Sequence, residues 1–331
     1  MRMLMLGGTG WLGEAVVRTA IERGHDVTCV ARRSSAPDGA AVLVADRDLD
    51  DALRPLTDSR WDVVVDVATQ PGHVRRAVRD LERIADRYVY VSSCSAYSSL
   101  SVPGIDEGAP VHPPLVEDVM TTWEDYGSAK SACERAVQEG FGDGRSVIVR
   151  PGLIGGPGDA SGRTSYWPLR LARPSTPAGE VLVPDAPELP TSIIDVRDLA
   201  AWIVRLAERS SGGVFNAVGD PVPLSVHLAT AAEIAGHRGA LTPADEHWLI
   251  SQGVSQWAGP QSLPLWVADD TVLGIGALSN ALARAHGLAL RPLAETLRDT
   301  LEWAQREGVP TATRAGLSDE DERRLLAALP G

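Results

Sequence analysis

Arg2-Met3-Leu4-Met5-Leu6-Gly7-Gly8-Thr9-Gly10-Trp11-Leu12-Gly13 is the stretch whose reading decides the fold. A mostly apolar run that ends on glycine reads as a short buried strand closing in a turn. Gly7, Gly10 and Gly13 then recur at every third position. Glycine there permits the tight turn, lets backbone approach a pyrophosphate, and allows helix and strand to touch. A helical pattern follows over Glu14–Arg23 and stops at Gly24. The N–H groups and dipole of such a helix start favour phosphate, so Gly7, Thr9, Gly10, Trp11, Leu12 and Gly13 are the expected cradle.

Outward from this point strands and helices alternate. Strands are expected at Asp26–Ala31, Ala41–Ala45, Asp62–Ala68, Tyr88–Ser92, Ser146–Arg150 and Gly213–Val218. Between them lie helical patterns with Val74, Val78, Leu81 and Ala85 on one face, at Ser128–Gln138, and at Val196–Glu208. Arg75, Arg76, Arg79 and Arg83 fall on the opposite face of the first of these and read as a solvated surface. Such alternation predicts an α/β fold, a Rossmann-type doubly wound parallel sheet. Residues 1–154 would form the dinucleotide-binding domain, with 191–220 returning to it. The Pro- and Gly-rich segments 155–190 and 221–331 would form a smaller, interleaved substrate-binding subdomain. Helices are expected there over Pro292–Arg306 and from Ser318, whose Ser-Asp-Glu-Asp run resembles a cap.

The chain has 331 residues, of which 44% are apolar, enough for a large core. Its 31 Lys+Arg face 44 Asp+Glu, a formal charge of −13. That balance argues against nucleic acid or an anionic membrane as partner, because both demand excess positive charge. No apolar run approaches a membrane span and no leader pattern is visible, so a cytoplasmic location is expected. Cys29, Cys94 and Cys133 are far apart and show no C-x-x-C spacing, which excludes a disulfide framework and predicts no metal site.

At the end of the second strand stands Ala31-Arg32-Arg33-Ser34 in place of an acidic residue. Two guanidinium groups and a hydroxyl suit the 2′-phosphate of a dinucleotide, favouring NADP(H) over NAD(H). Asp46 and Arg47 are placed to flank the adenine. Val67 and Ala68, closing the fourth strand, and Ser92, closing the fifth, are also expected at the cofactor.

Among the 31 basic residues the single lysine is Lys130, in Tyr126-Gly127-Ser128-Ala129-Lys130. On a helix, Tyr126 and Lys130 share a face. An ammonium beside the phenol would lower its pKa toward working pH and could also bond a ribose. Val89-Tyr90-Val91-Ser92-Ser93 ends a strand at the carboxyl edge of the sheet, where a serine could hydrogen-bond a substrate oxygen alongside Tyr126.

With these pieces in hand, the chain resembles the extended short-chain dehydrogenase/reductase family, which includes the NAD-dependent epimerases and dehydratases. The matching stretches are Gly7–Gly13, Val91–Tyr97, Tyr126–Arg135, Arg150–Pro157, Ile194–Ala200 and Phe215–Ala217. The resemblance implies that Ser93, four before Tyr97, is the catalytic serine, Tyr126 the general acid or base, and Lys130 its partner. Pro151, Gly152, Leu153 and Ile154 would line the nicotinamide, and a homodimer is implied. Two departures stand out. The interval from Ser93 to Tyr126 is long, so Val102–Trp123 is expected to shape the substrate mouth. Cys94 and Ser95 stand where dehydratases of nucleotide sugars carry an acidic pair, which argues against dehydration.

The expected activity is therefore an NADPH-dependent carbonyl reductase or alcohol dehydrogenase acting on a small or ring-containing molecule. A sugar or nucleotide-sugar epimerase with tightly held NAD(P) is the alternative. A non-catalytic dinucleotide sensor is disfavoured by retention of both Tyr126 and Lys130. Ser95, Trp123, Trp167, Trp257 and Trp266 are the candidate substrate contacts, indoles being suited to stacking on flat rings.

Overall fold

The computed structural model describes residues 1–33, 36–209, 212–309 and 315–329; Ser34 lies outside the described residues. Among these, seven parallel strands form the central sheet. They are β1 (Arg2–Leu6), β2 (Asp26–Ala31), β3 (Ala41–Val44), β4 (Val63–Asp66), β5 (Tyr88–Val91), β6 (Ser146–Pro151) and β7 (Gly213–Ala217). Their order is β3-β2-β1-β4-β5-β6-β7. Leu6 of β1 pairs with Val30 on one side and Asp66 on the other. The winding reverses at this point, and in such sheets the crevice beyond the carboxyl ends is where ligands bind.

Period-two alternation explains how the sheet is covered. Met3 and Met5 enter one core with Val63, Val65, Val89 and Val91. Leu4 and Leu6 enter the other with Val64, Tyr88 and Tyr90. Strands apolar on both faces need helices on both sides. The helices that bear on the site are α1 (Trp11–Glu22), α2 (Pro71–Leu81), α3 (Tyr126–Phe141), α4 (Tyr166–Ala172), α5 (Val196–Ala207) and α6 (Leu224–Ala235). Val16 and Val17 of α1 and Leu199 and Ile203 of α5 cover the first face. Val74 and Leu81 of α2 and Cys133 and Val137 of α3 cover the second.

A separate core gathers Leu153, Trp167, Leu182, Leu224, Trp266, Leu297 and Leu325. Ala283 and Leu288, late in the chain, pack instead with Trp202 and Phe215 against the sheet. The last described helix, Asp319–Ala328, is capped by Ser318, whose side chain accepts from the Asp321 N–H at 3.0 Å. No helix among the described residues is long and apolar enough to cross a membrane.

Three expectations are corrected here. The first helix begins at Trp11 and not at Glu14, because the Glu14 N–H already reaches the Gly10 carbonyl at 2.7 Å. The tyrosine-bearing helix runs from Tyr126 to Phe141 and so extends past both expected ends. The arginine face of α2 is a clamp more than a solvated surface. Arg75 donates to the carbonyls of Leu115, Val116 and Glu117 and to Asp118. Arg76 holds the Arg47 carbonyl, and Arg79 holds Asp50. Loop carbonyls outside any ladder need donors, and guanidinium groups supply several at once. Arg79 and Arg83 stay exposed, at 49% and 91% of their side chains.

His227 of α6 is 1% exposed, and neither ring nitrogen has a partner among the described residues. Burial pulls its pKa from 6.5 down to about 4. Between those values the unfolded chain binds more protons than the folded one, so stability falls as pH falls. Urea titrations should show a loss of roughly 2 kcal/mol between about pH 7 and pH 5 from this group. His227→Leu should flatten that part of the profile; an unchanged slope would exclude His227 as its source.

Candidate active site

β5 ends at Val91, and Ser92-Ser93 turns the chain into a short 3-10 turn, Cys94–Ala96. Ser93 caps that turn, its Oγ accepting from the Ser95 N–H at 3.1 Å. Tyr126 opens α3, with its ring 5.7 Å from that of Trp123. Lys130, one helical turn on, is 3% exposed. Its ammonium donates to the Ala68 carbonyl at 2.9 Å and the Val91 carbonyl at 3.0 Å, tying α3 to the ends of β4 and β5.

These contacts change the expected electrostatics. Burial raises the Tyr126 pKa above the ordinary 10.0, while the Ser93 hydroxyl and the Arg163 charge pull the other way. The expected depression of the phenol by Lys130 is corrected: the ammonium sits among carbonyls, 5.9 Å from the centre of the ring. Burial lowers the pKa of Lys130 itself, against the pull of Cys133, Asp66 and Glu134. The Cys94 thiol, beside Ser93, is pushed up by burial to about 11.

Under the site lies a charged network that the sequence motifs only hinted at. Glu134 of α3, 3% exposed, accepts both arms of the Arg150 guanidinium at 2.9 and 2.7 Å. Ser92 Oγ donates to the same carboxylate. Arg150 covers the Tyr97 ring at 4.6 Å, and the Tyr97 hydroxyl donates to Asn216 at 2.7 Å. The Ser92 hydroxyl thus faces inward, toward Glu134.

Two adjoining cavities open at the carboxyl ends of the strands, sharing Gly10 and Val67. The smaller, 610 Å³, is lined by Gly7, Thr9, Arg32, Asp46, Arg47 and Ala68, among others. The larger, 880 Å³, brings together Trp11, Leu12, Gly13, Ser92, Ser93, Ser95, Trp123, Tyr126, Lys130, Pro151, Gly152, Leu153, Ile154 and Trp257. Gly7 holds a φ of +93°, and a Cβ on Gly13 would meet the Gly7 carbonyl oxygen at 2.2 Å. No other residue fits this turn, so its backbone stays open to a phosphate.

Some expected site residues lie elsewhere. Trp167 and Trp266 are fully buried in the second core, Trp167 donating to the Pro264 carbonyl at 2.8 Å. They are packing residues, since a large apolar ring gains most by burial. Arg47 turns its fork inward onto Asp66 at 2.9 and 2.7 Å and so does not offer it to an adenine. Burial alone would raise the Asp66 pKa, but Arg47, the Tyr88 hydroxyl and the Ala68 N–H hold it below 3.8. Arg33 is exposed and lines neither cavity. Sequence reasoning missed Arg163, Asp159 and Gly158, all in the larger cavity. The available signal was a charged residue within a Gly-rich stretch directly after Ile154.

The sequence profile of the NAD dependent epimerase/dehydratase family matches residues 3–217. The chain belongs to that family. This family member is 27% identical over 261 residues to a 3-diazoavenalumate denitrifying reductase from a Streptomyces species, covering 71% of this chain and 82% of that protein. It is 29% identical over 192 residues to a 2′-dehydrokanamycin reductase from Streptomyces kanamyceticus, spanning 56% of this chain and 52% of that one. Among solved structures, UDP-glucose 4-epimerase from Thermotoga maritima matches with a TM-score of 0.68 at 18% identity, over 92% of this chain and 99% of that chain. The Bordetella bronchiseptica enzyme WbmG, solved with NAD and UDP, matches with a TM-score of 0.67 at 19% identity, over 96% and 99%. At such identities the solved structures speak for the fold.

The two groups of tryptophans should separate by experiment. Trp167→Ala is expected to cost about 3–5 kcal/mol of stability through the cavity it leaves. Trp123 is 78% exposed, and Trp123→Ala should leave the melting temperature nearly unchanged. Glu134→Ala, which strands a buried guanidinium, should cost about 3–5 kcal/mol. Thermal melts of the three variants check the order.

Proposed function

We propose that this family member is an NADPH-dependent oxidoreductase, reducing a carbonyl on a small, ring-containing molecule or oxidising the corresponding alcohol. The observation that carries the reading is a half-buried phenol whose pKa is raised, placed with Ser93 in a cavity that adjoins the glycine cradle. A phenol that keeps its proton at working pH is a competent general acid. Ser93 hydrogen-bonds the carbonyl oxygen and orients it toward Tyr126, and Tyr126 delivers the proton to that oxygen.

The glycine turn fits a dinucleotide, since a Cβ at Gly7, Gly8 or Gly13 would clash and the backbone there is left bare. Gly7, Thr9, Gly10 and Gly13 would hold the pyrophosphate, Arg32 the 2′-phosphate, and Pro151 to Ile154 the nicotinamide side. Bound there, a reduced nicotinamide supplies the hydride. Lys130 has two of its three N–H groups on backbone carbonyls, which leaves one for a ribose hydroxyl. Both curated relatives carry reductase names, which supports reduction as the direction.

Tyr126→Phe should lower turnover by about 10²–10⁴ while NADPH binding, followed by calorimetry, stays nearly intact. Reduction by the wild type should stay level with pH up to the ordinary phenol value of 10.0 and decline only above it. Full activity in Tyr126→Phe would overturn the assignment, and turnover without added cofactor would point to an epimerase. Arg32→Ala should weaken NADPH roughly tenfold to a hundredfold with little effect on NADH.

A further inference from the structure

Arg163 lines the larger cavity beside Tyr126, and the reduction chemistry has no use for it. The loop that carries it is built around Asp159, which is 3% exposed. Asp159 accepts from the Ser161 N–H at 2.9 Å and hydroxyl at 2.6 Å, and from the Thr164 N–H at 3.3 Å and hydroxyl at 2.7 Å. With four donors on it, that carboxylate is the anchor of the loop. Arg163 gives its Nε–H to Ser161 Oγ at 3.2 Å. Its other guanidinium N–H groups have no hydrogen-bond partner among the described residues.

The contrast with other buried arginines is sharp. Arg47, Arg150 and Arg170 each meet a carboxylate at 2.7 Å. Arg163 meets none within ion-pair range among the described residues. Burial lowers its pKa, and Asp159, Tyr126 and Cys94 oppose that. Asp159 acts on it only at one remove, through the shared Ser161 hydroxyl, so the outer guanidinium N–H groups are left for a ligand to pair.

Trp257 supplies the adjoining wall. The Arg163 guanidinium lies 5.8 Å from its ring centre. Trp257 holds a φ of +66°, in the left-handed region that a bulky residue rarely occupies, and its N–H is tied to the Trp266 carbonyl at 3.1 Å. The indole packs partly against the second core and leaves the rest of its surface in the cavity wall.

We propose that Arg163 is the anion-binding group of the substrate subsite, and that the substrate is a flat ring bearing one carboxylate, paired by Arg163 and covered by Trp257. The planar fork matches a carboxylate in two parallel hydrogen bonds. A dianionic phosphate fits less well: Lys130 is engaged by carbonyls, and Asp159 stands close by. The site of reduction on that substrate rests on the function proposed above; the anion pairing does not.

Calorimetry on the full chain tests it without turnover. Wild type should bind 2-naphthoate tighter than 2-naphthamide by roughly tenfold to a hundredfold. Arg163→Gln should abolish that preference, and Arg163→Lys should restore part of it. No preference in the wild type, or one that survives in Arg163→Gln, overturns the proposal. Tighter binding of 2-naphthyl phosphate overturns the carboxylate assignment. If Tyr126→Phe keeps full activity while the carboxylate preference follows Arg163, the redox reading fails and the anion subsite stands.

Discussion

The Glu134–Arg150 pair is the joint on which the site depends. It fastens α3, which carries Tyr126 and Lys130, to β6, which runs into Pro151 and the cavity wall. Both groups are almost fully buried, so their attraction is weakly screened and their geometry is tightly specified. Ser92 on the same carboxylate, and Tyr97 and Asn216 beyond Arg150, extend the joint across β5 and β7. Motif residues dispersed through the chain are thus a single internal brace. Their work is to hold other groups in place.

The charges in the cavity follow the same logic of pairing. Lys130 gives N–H groups to strand-end carbonyls, so it fastens the helix while burial raises the pKa of the phenol. Asp66 and Arg47 close on one another beneath the smaller cavity. Arg163 is the exception, a cation supported by Ser161 and leaning on Trp257. In a chain of formal charge −13, a guanidinium beside the proton donor that meets no carboxylate within ion-pair range among the described residues stands against the sign of the global field.

Much of this was legible beforehand. Strand and helix positions came out nearly right because alternation and helical spacing are local properties of the chain. The glycine turn was legible because Gly7 and Gly13 have a steric requirement that nothing else meets. Ser93, Tyr126 and Lys130 share one cavity, as their motifs led one to expect. The errors lie where the partner is distant. The start of α1 depended on Gly10 closing the first turn. Arg75 looked solvated because the Leu115–Asp118 loop it clamps is 40 to 43 residues away. Trp167 and Trp266 looked like stacking platforms because burial cannot be seen without the fold around them.

By itself the sequence determined the order of elements, the two-sided covering of the sheet and the phosphate-facing turn. Each follows from periodicity or from the conformational freedom of glycine, which neighbours along the chain suffice to set. Tertiary structure decided which charges are free. Arg47, Arg150 and Arg163 are the same residue type, yet two face buried carboxylates and one faces the cavity. Pairing energies fall off within a few ångströms, so only the packed chain, which brings Trp11 against Pro157 across 146 positions, can tell such residues apart.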